Sequence, residues 1–128
     1  AVCTQTGIIV TGSLDKTARV WKREQGRDNY ENIQVLEGHS DSVFAVAVCT
    51  QTGNIVTGSW DKTARVWKRE QGRDNYENIQ VLEGHSGSVR AVAVCTQTGN
   101  IVTGSEDKTA RVWKREQGRD NYENIQVL

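Results

Sequence analysis

Proline is absent from the 128 residues, and the charges cancel, with sixteen Lys and Arg against sixteen Asp and Glu. Without proline, the twelve glycines carry most of the turn punctuation. Zero formal net charge argues against a general nucleic-acid or acidic-membrane binder, whose affinity rests on excess Lys and Arg. No apolar run approaches the ~20 residues needed to span a bilayer. The first residues, Ala1-Val2-Cys3-Thr4, lack the basic start and long apolar stretch of a signal peptide. Hydrophobic residues make up 36% of the chain, a little low but not low enough to predict disorder. The length suits one ordinary domain.

What the chain does have is repetition. Cys3, Cys49 and Cys95 recur every 46 residues, as do Trp21, Trp67 and Trp113. Residues 37–82 and 83–128 differ only at Asp41/Gly87, Phe44/Arg90 and Trp60/Glu106. Residues 1–36 and 47–82 differ only at Ile8/Asn54 and Leu14/Trp60. Repeats of this period signal a solenoid, a propeller or an array. Such similarity also points to recent duplication or deliberate design. Three cysteines at one equivalent position are not a disulfide framework, because an odd number cannot pair internally. Each is expected to be a small buried residue at a strand end. No second Cys or His lies at metal-ligand spacing, so no metal is expected. Unpaired cysteines imply the cytoplasm or another reducing intracellular compartment, if the protein is natural.

The middle unit shows the local pattern. Ser42–Cys49 is short, apolar and valine-rich, and is expected to be a strand buried on both faces. Thr50-Gln51-Thr52-Gly53 is a turn. Asn54–Ser59 makes a second strand, and Trp60-Asp61-Lys62 a tight turn whose Asp can bond backbone amides. Thr63–Lys68 is a third strand. A polar loop, Arg69–Asn75, leads to a fourth, Tyr76–Leu82, which is more polar and expected outermost. Four short strands without a convincing helical segment make an antiparallel sheet. One such sheet cannot bury both faces alone; stacking copies around an axis can.

These residues resemble the WD40 repeat family. The resemblance rests on Gly38-His39 with the apolar strand after it, Gly58-Ser59-x-Asp61, and Thr63-Ala64-Arg65-Val66-Trp67. It recurs at Gly84-His85, Gly104-Ser105-x-Asp107 and Thr109–Trp113. Lys22, Lys68 and Lys114 stand where the family usually has Asp, and Thr-Gln-Thr-Gly replaces the usual Ser-Pro-Asp-Gly turn. The resemblance implies an all-β arc of three four-stranded antiparallel blades, 1–36, 37–82 and 83–128. The first blade lacks the counterpart of Glu37–Val46, and with it most of the inner strand. The family also implies a buried polar network joining His39, Thr57, Asp61 and Trp67, and likewise His85, Thr103, Asp107 and Trp113. Thr11, Asp15 and Trp21 have no His in their own unit. A hydroxyl, a His and an Asp also compose a hydrolase triad. That reading is set aside, because a catalytic nucleophile must be exposed in a cleft, whereas this group recurs in every unit inside strands. The protein is expected not to be an enzyme and to need no cofactor.

Three blades cover too little of the circle to close, since blades of a six- to nine-bladed ring take about 40–60° each. The arc would leave apolar faces wet and strand edges unpaired. The expected partner is therefore the chain itself, in a cyclic homo-oligomer. A trimer of nine blades is preferred to a dimer of six, because nine lies closer to eight in angle per blade than six does to seven. The other possibility is that the residues are a piece of a longer chain. The few variable positions, Leu14, Asp41, Phe44, Trp60, Arg90 and Glu106, look like the family's top-face contact sites. Phe44 and Trp60 suit an aromatic anchor, and Arg90 and Glu106 an ion pair. The expected function is a non-enzymatic scaffold that assembles with itself and binds protein or peptide through this face. The alternative is a designed propeller fragment whose only activity is self-assembly. Gly58–Ala64 is also similar to blades of the ubiquitin-binding phospholipase-A2-activating-protein family, which makes ubiquitin a candidate partner. The mixed charges of Lys68–Asn75 do not suggest nucleic acid, and no phosphate-cradling glycine loop is present.

Overall fold

The computed structural model describes residues 7–70, 72, 73, 75–116 and 118–128. Cys3 and the start of the first unit lie outside the described residues. The described residues form eleven strands and no helix. The first sheet holds β1 (Ile9–Gly12), β2 (Ala18–Arg23) and β3 (Tyr30–Leu36), in that order. The second runs β4 (Val43–Val48), β5 (Ile55–Ser59), β6 (Ala64–Arg69), β7 (Tyr76–Leu82). The third repeats it with β8 (Val89–Val94), β9 (Ile101–Ser105), β10 (Ala110–Arg115) and β11 (Tyr122–Val127). All pairs are antiparallel.

Period-two alternation gives each sheet two unlike apolar faces. In the first sheet Val10, Ala18, Val20 and Leu36 point one way, and they pack against Ile55, Trp67 and Tyr76 of the second. From the opposite face of the second sheet, Val56, Ala64, Val66 and Leu82 meet Ile101, Trp113 and Tyr122 of the third. Small and branched side chains on one face therefore receive large rings from the next. Val66 is 0% exposed and Leu82 1%. Burying a side chain of this kind contributes about 1.5–3 kcal/mol.

The inner strands differ from expectation. Neither β4 nor β8 is buried throughout. Each carries a bulge: Val43 pairs with Ser59 and Ala45 with Gly58, leaving Phe44 out of the ladder. Arg90 is bulged in the same way between Val89 and Ala91. A bulge bends the strand and re-aims a side chain, and here it turns both residues to solvent. The cysteine expectation also needs correcting. Cys49 is buried, but Cys95 is exposed. Cys95 sits on the last sheet, where no further sheet covers it.

A second bulge, in every sheet, lies between the third and outer strands, at Val20/Trp21, Val66/Trp67 and Val112/Trp113. The Asn beside it fills the broken ladder. Asn78 donates to the carbonyls of Val66 and Gln80, both at 3.0 Å. The hairpin turn between second and third strands places Lys16, Lys62 and Lys108 at φ 76°, 76° and 71°. This is the left-handed residue of a short hairpin loop, held by Ser59 N–H to Thr63 O at 3.1 Å.

Close approach of the sheets depends on Gly58. A Cβ there would lie 2.9 Å from Val89 Cγ1 and 3.0 Å from Val92 Cγ1 of the next sheet. Gly58→Ala is therefore expected to lower stability by about 1–3 kcal/mol through overpacking. Denaturant unfolding checks this, and an unchanged midpoint would show that the sheets separate there without cost.

Candidate functional site

A polar relay lies beneath the loop end of each complete sheet. In the second sheet the Trp67 indole N–H donates to Thr57 Oγ1 at 2.9 Å. Thr57 Oγ1 lies 2.7 Å from His39 Nε2, and His39 Nδ1 lies 2.8 Å from Asp61 Oδ2. The third sheet repeats these contacts: Trp113 to Thr103 at 3.0 Å, Thr103 to His85 at 2.7 Å, and His85 to Asp107 at 2.9 Å. Donor chemistry fixes the direction. An indole nitrogen only donates, so the threonine oxygen must accept from it. At the other end the Asp61 carboxylate only accepts, so His39 Nδ1 carries the proton and donates to it, and Nε2 of the neutral ring accepts the Thr57 hydroxyl hydrogen. The imidazole is neutral.

Burial pushes the His39 pKa below 6.5, against the opposing pull of Asp61. For Asp61, burial opposes ionisation, but hydrogen bonds from Thr63, His39 and the Ser40 amide outweigh it and hold the carboxyl below 3.8. Asp61 accepts from the backbone N–H of Ser40 at 3.0 Å and of Thr63 at 2.9 Å, so one carboxylate ties the loop before β4 to the turn after β5. Asp107 is held low chiefly by the Thr109 hydroxyl, with burial opposing and His85 and the Ser86 amide assisting. In the first sheet Trp21 donates to Thr11 at 2.9 Å, while Asp15 is exposed and bonds to Thr17. Thr57 and Thr103 are 0% exposed, and each hydroxyl is held between Trp and His. Such an oxygen is out of reach of a substrate, and the relay works as a brace.

Above this relay the variable residues share one end of the sheets. Phe44 and Trp60 stack with ring centroids 4.5 Å apart and planes tilted by 33°. They remain 47% and 38% exposed. Arg90 Nε lies 3.2 Å from Glu106 Oε1, at the equivalent place on the next sheet. A cleft of about 190 Å³ is lined by Phe44 and Arg90. Leu14, on the turn of the first sheet, is exposed. Asp41 accepts from the Ser42 N–H at 2.7 Å, and its carbonyl accepts from the Ser59 hydroxyl at 3.1 Å.

A continuous rim spaces these positions. Ser42 Oγ donates to Leu14 O at 3.2 Å, and Trp60 N donates to Ser42 O at 3.0 Å. Ser88 Oγ then reaches Trp60 O at 3.5 Å, and Glu106 N donates to Ser88 O at 3.0 Å. The serines were not singled out from the sequence, nor were the bulge-filling asparagines. Identity across repeats marks every position equally, so it cannot single out the residues that carry bonds between sheets.

The relay generates two expectations. Thr57→Val keeps the shape and removes the central hydroxyl, leaving the Trp67 N–H and His39 Nε2 unpaired. It should cost about 1–3 kcal/mol or more, and Thr57→Ser should recover most of it. The second concerns pH. Since the folded pKa of His39 is depressed, the unfolded chain binds the extra proton. Stability is full above about pH 6.5 and is lost as pH falls towards the folded value. Denaturant midpoints are expected to fall from about pH 8 to pH 5, with a shallower fall in His39→Gln. Asp61 adds a further loss only below its ordinary value of 3.8.

A family model described as WD domain, G-beta repeat, matches residues 2–22, 30–68 and 76–114. No curated protein matches the chain. Each long match begins on the outer strand of one sheet, at Tyr30 or Tyr76, and ends on the third strand of the next, at Lys68 or Lys114. The family unit thus straddles two sheets and stitches them together. WD40 repeats build β-propeller scaffolds for protein–protein interaction and are generally non-enzymatic. With matches over well more than half its length, on sheets of this topology, the chain belongs to the WD40 repeat family.

Proposed function

We propose that this WD40 chain joins copies of itself into a closed ring and binds protein or peptide at the loop end of its sheets. The exposed Phe44–Trp60 pair carries the binding part of the reading. Two large rings half-covered by one another, beside a cleft, leave apolar surface that a partner can bury. Aromatic residues are enriched among binding hot spots for this reason. Arg90 lines the same cleft. The site therefore suits a segment that offers an apolar side chain with a carboxylate close by. The sequence likeness at Gly58–Ala64 makes ubiquitin the first protein to try.

The ring part rests on the end sheets. On the last sheet Ile125, Val127 and Leu128 are 53%, 50% and 62% exposed. On the second sheet the matching Leu82 is buried to 1% by its neighbour. Exposed apolar area of this kind marks an association surface.

Binding is tested by selecting peptides from a displayed library on the wild-type chain, with ubiquitin measured alongside. Phe44→Ala with Trp60→Ala is expected to weaken a selected peptide by about tenfold or more, with the chain still folded because neither half-exposed ring belongs to the core between the sheets. Undiminished affinity would place the site elsewhere. Assembly without any selected binder would leave self-assembly as the only activity.

A further inference from the structure

The two joints inside the chain share one design, and the chain also carries both halves of a third joint. In the first joint the Gln34 side chain clamps the backbone of Tyr76, donating to its carbonyl at 2.8 Å and accepting from its N–H at 2.7 Å. In the second, Gln80 clamps Tyr122 in the same way, at 2.7 Å for both bonds. Lys68 adds a bond across that second joint to Asp120, at 3.1 and 3.0 Å to its two oxygens. The clamp always runs from the outer strand of one sheet to the start of the outer strand of the next.

The donor of a further clamp is Gln126 on β11, and its receiver is Tyr30 at the start of β3. Among the described residues no side chain bonds the Gln126 side-chain amide or the Tyr30 backbone, although Asn124 donates to the Gln126 main-chain carbonyl at 3.1 Å. The apolar surfaces match as well. Tyr30 is 40% exposed, whereas Tyr76 and Tyr122, each seated against a preceding sheet, are 5% and 4% exposed. Leu128 is 62% exposed where Leu82 is 1% exposed, and Val112 is half-buried where Val66 is fully buried. Charge matches too, since Lys114 and Asp28 hold the positions of Lys68 and Asp120 and both are exposed.

Resting on the ring reading above, we infer that a second copy of this chain occupies the last sheet. Gln126 of one copy clamps the Tyr30 backbone of the next, Lys114 meets Asp28, and Leu128 and Val112 pack against Trp21 and Tyr30. The interface is head to tail. One surface is the Val-Leu face and the other the Trp-Tyr face, so two identical faces do not pair. An interface of this type closes into a ring when its rotation divides the circle.

The test uses solution mass across micromolar concentrations, with far-ultraviolet circular dichroism as the check on folding. Wild type is expected at a multiple of the chain mass. Leu128→Arg blocks the last sheet and Tyr30→Arg blocks the first, both at positions exposed in the single chain. Each variant alone is expected to be a folded monomer. Mixed in equal amounts, they retain one good joint between them and are expected to form a complex of two chains that grows no further. Gln126→Leu removes the clamp while keeping the shape, and is expected to raise the dissociation constant by about tenfold per joint. Lys114→Glu should weaken assembly, and adding Asp28→Lys should restore it.

A monomeric wild type would overturn both the ring reading and this joint, and would leave the last sheet to some other occupant, such as further chain. A wild-type oligomer insensitive to Tyr30→Arg and Gln126→Leu would keep the ring and overturn the joint. Assembly of Tyr30→Arg that is abolished by adding a block on the last sheet, Leu128→Arg, would mean that two last sheets pair with each other, and would overturn the head-to-tail geometry.

Discussion

A sheet has two sides, and in this protein both sides are apolar. That constraint governs the rest. Alternation along β5 sends Ile55 to one face and Val56 to the other, and both are fully buried. An isolated sheet of this kind exposes one or both faces, so stability resides between sheets. The faces are also unlike. Trp and Tyr rings project from one, and small or branched side chains recess the other. Unlike faces give the stack a direction, and the direction is the same at each joint. Gly58 is a consequence: ring-to-recess packing brings the second and third sheets so close that a methyl group would meet Val89.

Apolar packing alone fixes neither register nor orientation sharply, because greasy surfaces slide. The polar groups supply that precision. With the imidazole neutral, the relay has one satisfying arrangement of hydrogens, because the carboxylate at one end only accepts and the indole at the other only donates. It locks the loop before β4 to the second strand and to the turn after it. The glutamine clamp performs the same service between sheets, because both its bonds are made only in one register. Exposed pairs such as Arg90–Glu106 and Lys68–Asp120 add little stability by comparison, about 0–1 kcal/mol each. Lys68–Asp120 crosses between two sheets, so its effect is on which surfaces meet.

Much of the architecture was legible in the chain before any coordinates. The 46-residue period, the valine-rich strand after Gly38-His39 and the Thr-Ala-Arg-Val-Trp strand determine the class of fold and the order of strands. The spacing of His39, Thr57, Asp61 and Trp67 names a set of groups that the fold brings within hydrogen-bonding distance. The bulges were not legible. Val43 to Cys49 has the composition of a strand covered on both sides, and nothing in that composition says that Phe44 leaves the ladder. Burial at the ends was equally hidden. Cys49 and Cys95 lie in near-identical sequence, yet one is buried and the other exposed. Accessibility depends on the neighbour, and a local sequence does not carry its neighbour. Gln34, Gln80 and the bulge asparagines escaped notice for a related reason. They sit on the most polar strand, where a hydrogen-bonding side chain is unremarkable until its partner across the gap is known.

The bulge and the hairpin turn together explain how a repetitive chain presents a surface that does not repeat. Phe44 and Arg90 stand at the bulge, and Trp60 and Glu106 in the turn beside it; the rest of the two long repeats differs only at Asp41/Gly87. Both places are free of ladder pairing, and none of the four side chains belongs to a relay or a clamp. The rim from Leu14 through Ser42, Trp60 and Ser88 to Glu106 is made of backbone and serine groups, with the variable side chains left out of it. Each blade can therefore carry a leucine, an aromatic pair or an ion pair at the same place on the same frame. Side-chain chemistry at that end is uncoupled from the packing that holds the sheets together, which is the physical condition for one scaffold to bear different recognition surfaces.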